Sequence, residues 1–140
     1  MCLSLAALLF PLAAGAAVLS DVDARAVRSV IEGQLEAFAA DDAERAYAYA
    51  STAIRTQFGD AAAFMAMVRS GYPMVVRPET VTFFQPQATD GAVLQKVQLR
   101  DRAGRLWRAT YQLERQPNDG WRINGCTVVP DTGKSLTSAT

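Results

Sequence analysis

The chain has 140 residues, half of them hydrophobic, with 14 Lys+Arg balanced by 14 Asp+Glu and no histidine at all. That length suits one domain with a sizeable core, and the absence of a basic surplus argues against a nucleic-acid partner, whose phosphates need neutralising cations. A chain with two cysteines and no histidine excludes histidine-dependent catalytic triads and leaves too few ligands for a zinc site.

The opening "MCLSLAALLFPLAAGAAVLS" is uncharged, apolar from Leu3 to Leu12, then rich in small residues. This reads as a secretory signal peptide over residues 1–17, with Ala14-Gly15-Ala16 as the A-x-A-like cleavage site. It departs from the usual pattern in having no Lys or Arg at its front, and the competing reading is a buried N-terminal helix. The stretch is too short to span a bilayer, which takes about 20 apolar residues. Cys2 precedes the apolar run, so it is not a lipoprotein cysteine. The expected mature protein is periplasmic or secreted, without a stable membrane span. It keeps Cys126 as its single thiol, so it forms no internal disulfide.

From Ser20 the pattern is helical. Ser20 stands as N-cap with Asp23 three residues on, and Val27, Val30, Ile31, Leu35 and Phe38 make one apolar stripe over residues 21–39. Gly33 falls on the opposite side. A second helix, capped by Asp41 or Asp42, buries Ala43, Ala46, Tyr47 and Ala50. The stretch "STAIRTQFG" that follows is ambiguous, because β-branched residues weaken it and Gly59 ends it. Asp60 caps a third helix, in which Phe64, Met67 and Val68 are buried and which Gly71 stops. Pro73 and Pro78 bracket an extended crossing.

The second half alternates in the manner of strands at 80–85, 92–100, 105–114 and 121–129. The turns "DRAG" and "QPNDG" make neighbours antiparallel. Alternation sets Val93, Gln95, Val97 and Leu99, then Trp107, Ala109, Tyr111 and Leu113, then Trp121, Ile123 and Thr127 on the core face. The same alternation turns Arg108, Thr110, Gln112, Lys96, Gln98, Arg122, Asn124 and Cys126 outward. Residues 131–140 read as a flexible tail. The chain is therefore an α+β domain over residues 18–130, with three N-terminal helices packed on the apolar face of a curved four-stranded antiparallel sheet.

Helices followed by such a meander resemble the nuclear transport factor 2-like (cystatin-like) cone, and "GWRINGCTVV" is similar to that superfamily's final strand. The stretches "EGQLEAFAADDAERAYAYAS", "IRTQFGD", the run from Phe64 to Tyr72 and "WRINGC" resemble the bacterial domain of unknown function 4864 family of short exported proteins. The superfamily contains isomerases, dehydratases, ligand-binding proteins and interaction modules, so the resemblance implies a fold and no single activity. It implies a site inside the cone, for which Tyr47, Tyr72, Gln95, Trp107, Tyr111 and Trp121 are the candidate lining residues. Tyr49 is a further cone-facing candidate, and Asp42 and Glu36 are the acids on segments that can reach the pocket mouth.

Three functional readings follow. The first is a non-enzymatic module binding a small apolar ligand or a protein partner. The second is a small-molecule isomerase or hydrolase-like enzyme using Tyr and Asp in the cone. The third is a structural homodimer. No phosphate-loop, dinucleotide-fingerprint or nucleophile-elbow motif is present, and no cofactor or metal is implied. Arg100, Arg102, Arg105 and Arg108, crowded at one hairpin, form a candidate anion contact, against which stands the ordinary solvated turn. Cys126 is the free thiol, read as a small half-buried residue beside Arg122 and Asn124, as a nucleophile, or as half of an intermolecular disulfide.

Overall fold

The computed structural model describes residues 19–132. The signal peptide expected over 1–17 and the tail from residue 133 lie outside the described residues. The order is α1 (Asp21–Ala39), α2 (Ala43–Ala48), α3 (Thr52–Phe58), α4 (Ala61–Gly71), a 3-10 turn (Pro73–Val75), β1 (Thr80–Phe83), β2 (Gln87–Thr89), β3 (Ala92–Arg100), β4 (Leu106–Gln116) and β5 (Gly120–Pro130). Each α-helix starts on a side chain that accepts the backbone N–H three residues on. Ser20 takes that of Asp23 at 3.1 Å, Asp42 that of Arg45 at 3.1 Å, Ser51 that of Ile54 at 3.2 Å and Asp60 that of Ala63 at 2.7 Å. These caps satisfy donors that the first helical turn leaves orphaned.

The expected second helix is two. The break falls at Tyr49–Ser51 because the backbone there is taken by β5: Ile123 N–H donates to the Tyr49 carbonyl at 2.9 Å, and Ser51 N–H to the Ile123 carbonyl at 2.8 Å. A helix cannot continue through residues whose amide groups pair with a strand. Ser51, wholly buried, then restarts the helix and also donates its hydroxyl to Asn124 Oδ1 at 2.7 Å.

The sheet is antiparallel in the order β1-β3-β4-β5, with β2 also on β3. β4 occupies one edge of β3 throughout, so β1, opposite residues 97–100, and β2, opposite residues 92–94, share the other edge end to end. The sheet is thus four strands wide and does not close into a barrel. Phe84–Pro86 interrupts that outer strand, and Gln95 fills the gap. Its buried amide donates to the Phe84 carbonyl at 2.6 Å and the Lys96 carbonyl at 3.0 Å.

The helices cover one face of this sheet, in the nuclear transport factor 2-like arrangement. Val27, Ile31, Leu35 and Phe38 of α1 meet Val93, Val97, Leu99, Ala109, Tyr111, Leu113 and Ile123 in one core. Side chains of this kind each contribute about 1.5–3 kcal/mol when fully buried. Gly33, placed by periodicity on the outer side, is buried instead: a Cβ there would lie 2.4 Å from Tyr49 Oη and 2.5 Å from its Cζ. Glycine at this position lets the Tyr49 ring lie against the helix backbone.

The chain stays anchored past Pro130. Asp131, assigned to the tail from sequence, donates its N–H to the Leu106 carbonyl, and its buried carboxylate pairs with Arg108 at 2.9 Å and accepts from Gln98 at 3.0 Å.

Candidate functional site

The register between β4 and β5 breaks once. Gln112 lies opposite Gly125 but Leu113 lies opposite Ile123, so Asn124 is an extra residue in β5. One inserted residue reverses the facing of everything beyond it, because side chains alternate with a period of two. Ile123 keeps the core face expected of it. Past the bulge, Cys126 stands opposite Tyr111 and Val128 opposite Ala109, both on the inner side, and Thr127 is turned out. Strict alternation had given the reverse for Cys126 and Thr127.

The bulge helps shape a half-open cavity of about 270 Å³ between α3, α4 and β5. Its sheet side carries Tyr111, Ile123, Gly125 and Cys126. The helical side carries Ile54 and Phe58 of α3 and Phe64, Met67 and Val68 of α4, with Phe38 of α1 behind them. Phe64 is the hub of this wall, its ring centroid 6.1 Å from Phe38, 5.8 Å from Tyr47 and 5.6 Å from Phe58. Such tilted and edge contacts stabilise aromatic clusters beyond their area burial. Tyr72 and Val75 close one end. The caps of α3 and α4 fix these walls, since Ser51 and Asp60 set where each helix begins.

A family model described as Domain of unknown function (DUF4864) matches residues 20–136. The chain belongs to this family. No curated protein and no solved structure matches it.

In this DUF4864 chain the cavity lining contains no carboxylate, lysine or arginine among the described residues. Burial pushes the Cys126 thiol up to about 12, and the Tyr111 hydroxyl, the polar group facing it, opposes that only in part. Burial also raises Tyr111 well above the ordinary phenol range, followed by the influence of Cys126. Both groups hold their protons at neutral pH, since desolvation disfavours the charged form of each. The cavity therefore presents neutral donors on an apolar wall. The thiol is half-buried at the cavity wall and protonated, and a protonated thiol is a poor nucleophile. Among the described residues no cluster of three or more Cys, Asp or Glu could hold a metal ion, and no helix is long and apolar enough to cross a membrane.

Of the six lining candidates read from sequence, Tyr72 and Tyr111 reach this cavity. Tyr47 sits behind the wall, its hydroxyl donating to the Arg55 carbonyl at 2.5 Å. Gln95 is spent on the β1–β2 gap. Trp121 donates from Nε1 to Asp23 Oδ1 at 3.3 Å under the Arg115 guanidinium, which lies 4.9 Å from its ring centroid. This bond is the largest of the influences holding the Asp23 carboxyl below its usual range. Trp107 lies at the β3–β4 hairpin and donates to Asp101 at 3.0 Å, which is likewise the main reason the Asp101 carboxyl titrates low.

The arginines of the expected anion contact also separate. Arg100 is exposed at the end of β3, and Arg105 pairs with Asp101 at 3.1 Å. Arg108 is turned to the other sheet face, mostly buried between Asp131 and the Phe84 ring, whose centroid is 5.1 Å away. Sequence reasoning missed Ile54 and Phe58 because α3 read as ambiguous. Their i, i+4 spacing was the signal that marked them.

Proposed function

We propose that this DUF4864 domain is a binding module that holds a compact apolar ligand in the cavity between α3, α4 and β5. The observation that carries this reading is a half-open cavity of about 270 Å³ with aromatic and aliphatic walls and only uncharged polar groups. Its size lies close to the lower end of the roughly 300–1,000 Å³ usual for small-molecule pockets. The expected signal segment supports a site of action in the periplasm or outside the cell. The reading based on a Tyr–Asp proton-transfer pair lacks its acid: Asp42 caps α2 and Glu36 pairs with Arg45 on the surface. The homodimer reading has little apolar surface to use, because the exposed large hydrophobics among the described residues are Val22, Val81 and Val129, on three different elements.

The test is fluorescence enhancement of the neutral probe N-phenyl-1-naphthylamine, paired with native mass spectrometry of protein purified from its own host. Met67→Trp and Ile54→Trp fill the cavity from its half-buried rim without removing core atoms. The wild type should enhance the probe and both variants should lose that enhancement while keeping the wild-type circular dichroism spectrum. Enhancement that survives both substitutions, or none in the wild type together with a ligand-free native mass, would sink the reading.

A further inference from the structure

A second, separate groove of about 530 Å³ runs between the end of α4, the 3-10 turn and the β3–β4 hairpin. Four arginines from two separate stretches of the chain converge on it: Arg69 and Arg77, and Arg102 and Arg105. Met74 and Trp107 supply apolar wall between them. Two of the four are already matched, since Arg69 pairs with Asp41 and Arg105 with Asp101. The Asp101 carboxylate is fully engaged, accepting from the Ala103 and Arg105 amides at 3.0 and 2.9 Å as well as from Arg105 Nε and Trp107 Nε1. It orients the indole and offers no further acceptor to a neighbouring guanidinium.

Arg77 and Arg102 make no ion pair among the described residues. Arg77 uses only Nε, on the Ala39 carbonyl at 3.1 Å, which leaves the end of its guanidinium available. The groove thus carries two uncompensated positive charges beside an indole ring over which the Arg105 guanidinium already lies, 5.9 Å from its centroid, with Met74 as the neighbouring apolar wall. Guanidinium groups bind the oxygens of phosphate or carboxylate in a planar, bidentate fashion, and the Met74 side chain together with a guanidinium plane stacked on the indole accepts an apolar or aromatic surface. We propose that this groove binds a divalent oxyanion carried on an aromatic or apolar body, an aryl phosphate being the simplest case. The site shares no lining residue with the apolar cavity and does not depend on it.

The test is a titration of the uniformly nitrogen-15-labelled protein at low ionic strength, following the Trp107 indole N–H, with phenyl phosphate, inorganic phosphate and phenol as separate probes. Phenyl phosphate should shift that resonance saturably, inorganic phosphate should bind more weakly, and phenol should leave it in place. Arg102→Gln and Arg77→Gln should each weaken phenyl phosphate about two- to fivefold, the size expected for solvent-exposed charge contacts, and more in combination. Arg102 makes no hydrogen bond or ion pair among the described residues, so its substitution leaves the fold intact. Lys96→Gln, on the opposite sheet face, should change nothing. The proposal is overturned by no saturable shift with phenyl phosphate, by phenol or inorganic phosphate binding as tightly, or by affinity indifferent to both arginine substitutions.

Discussion

The inward turn of Cys126 predicts a thiol that is nearly inert. Burial holds it at about 12, against roughly 8.5 for a free cysteine. At pH 7 the thiolate fraction is then about one in 10⁵, compared with a few per cent for a free thiol, a ratio of roughly three thousand. Alkylation by iodoacetamide should therefore run on the order of a hundredfold slower than that of glutathione in the same tube, the smaller thiolate fraction being partly offset by the greater nucleophilicity of a more basic thiolate. The rate should climb about tenfold per pH unit from pH 6 to 10 without levelling off. The assay is intact-mass quantification of the adduct in a Cys2→Ser background, where Cys126 is the only thiol. A plateau below pH 10, or a rate within tenfold of glutathione, would refute the inward orientation and restore the outward one beside Arg122. The same burial has a stability consequence whose sign is determinate. The folded thiol keeps its proton to higher pH than the unfolded one, so its contribution is complete below about pH 8.5 and is lost as pH rises toward 12. The loss is at most about 1.4 kcal/mol per pH unit, and Tyr111, also raised, adds to it in the same direction at higher pH.

Two further outcomes test the packing. Gly33→Ala should lose the roughly 1 kcal/mol of helix propensity it would otherwise gain, because the new Cβ displaces the Tyr49 ring. In a Tyr49→Ala background the same substitution should stabilise by about 1 kcal/mol, so urea midpoints of the four proteins in the cycle should reveal a coupling of that size, and equal effects in both backgrounds would be evidence against the contact. Arg108→Ala should lower stability by about 3–5 kcal/mol, the range for breaking a buried ion pair, because the Asp131 carboxylate is only 1% exposed. Arg105→Ala, at an exposed pair, should cost under about 1 kcal/mol in the same denaturation assay.

Local chemistry was legible in the chain. Ser20, Asp42 and Asp60 announced their helices because each cap bond reaches only three residues along. The strands of β3 and β4 kept the facing their alternation implied, since no irregularity interrupts their register. Asn124 shows where that reasoning stops. Nothing in "RINGC" demands a bulge, and its effect appears only when β4 lies alongside to define which residue is extra. Ser51 is similar, since its role as a cap depends on β5 ending α2 just before it.

The sequence by itself therefore determined the α+β class and most of the elements, though neither the split between α2 and α3 nor the short β2, because periodicity, caps and turns act within a few residues; the family followed from the resemblance of whole stretches. The tertiary structure alone decided which side chains share a site. It turned Cys126 inward, spent Gln95, Trp107 and Trp121 on structural hydrogen bonds, and buried Arg108 with Asp131. It also brought Arg69 and Arg77 to Arg102 and Arg105. Each of these depends on contacts between residues far apart in the chain, which the spacing within any one segment does not encode.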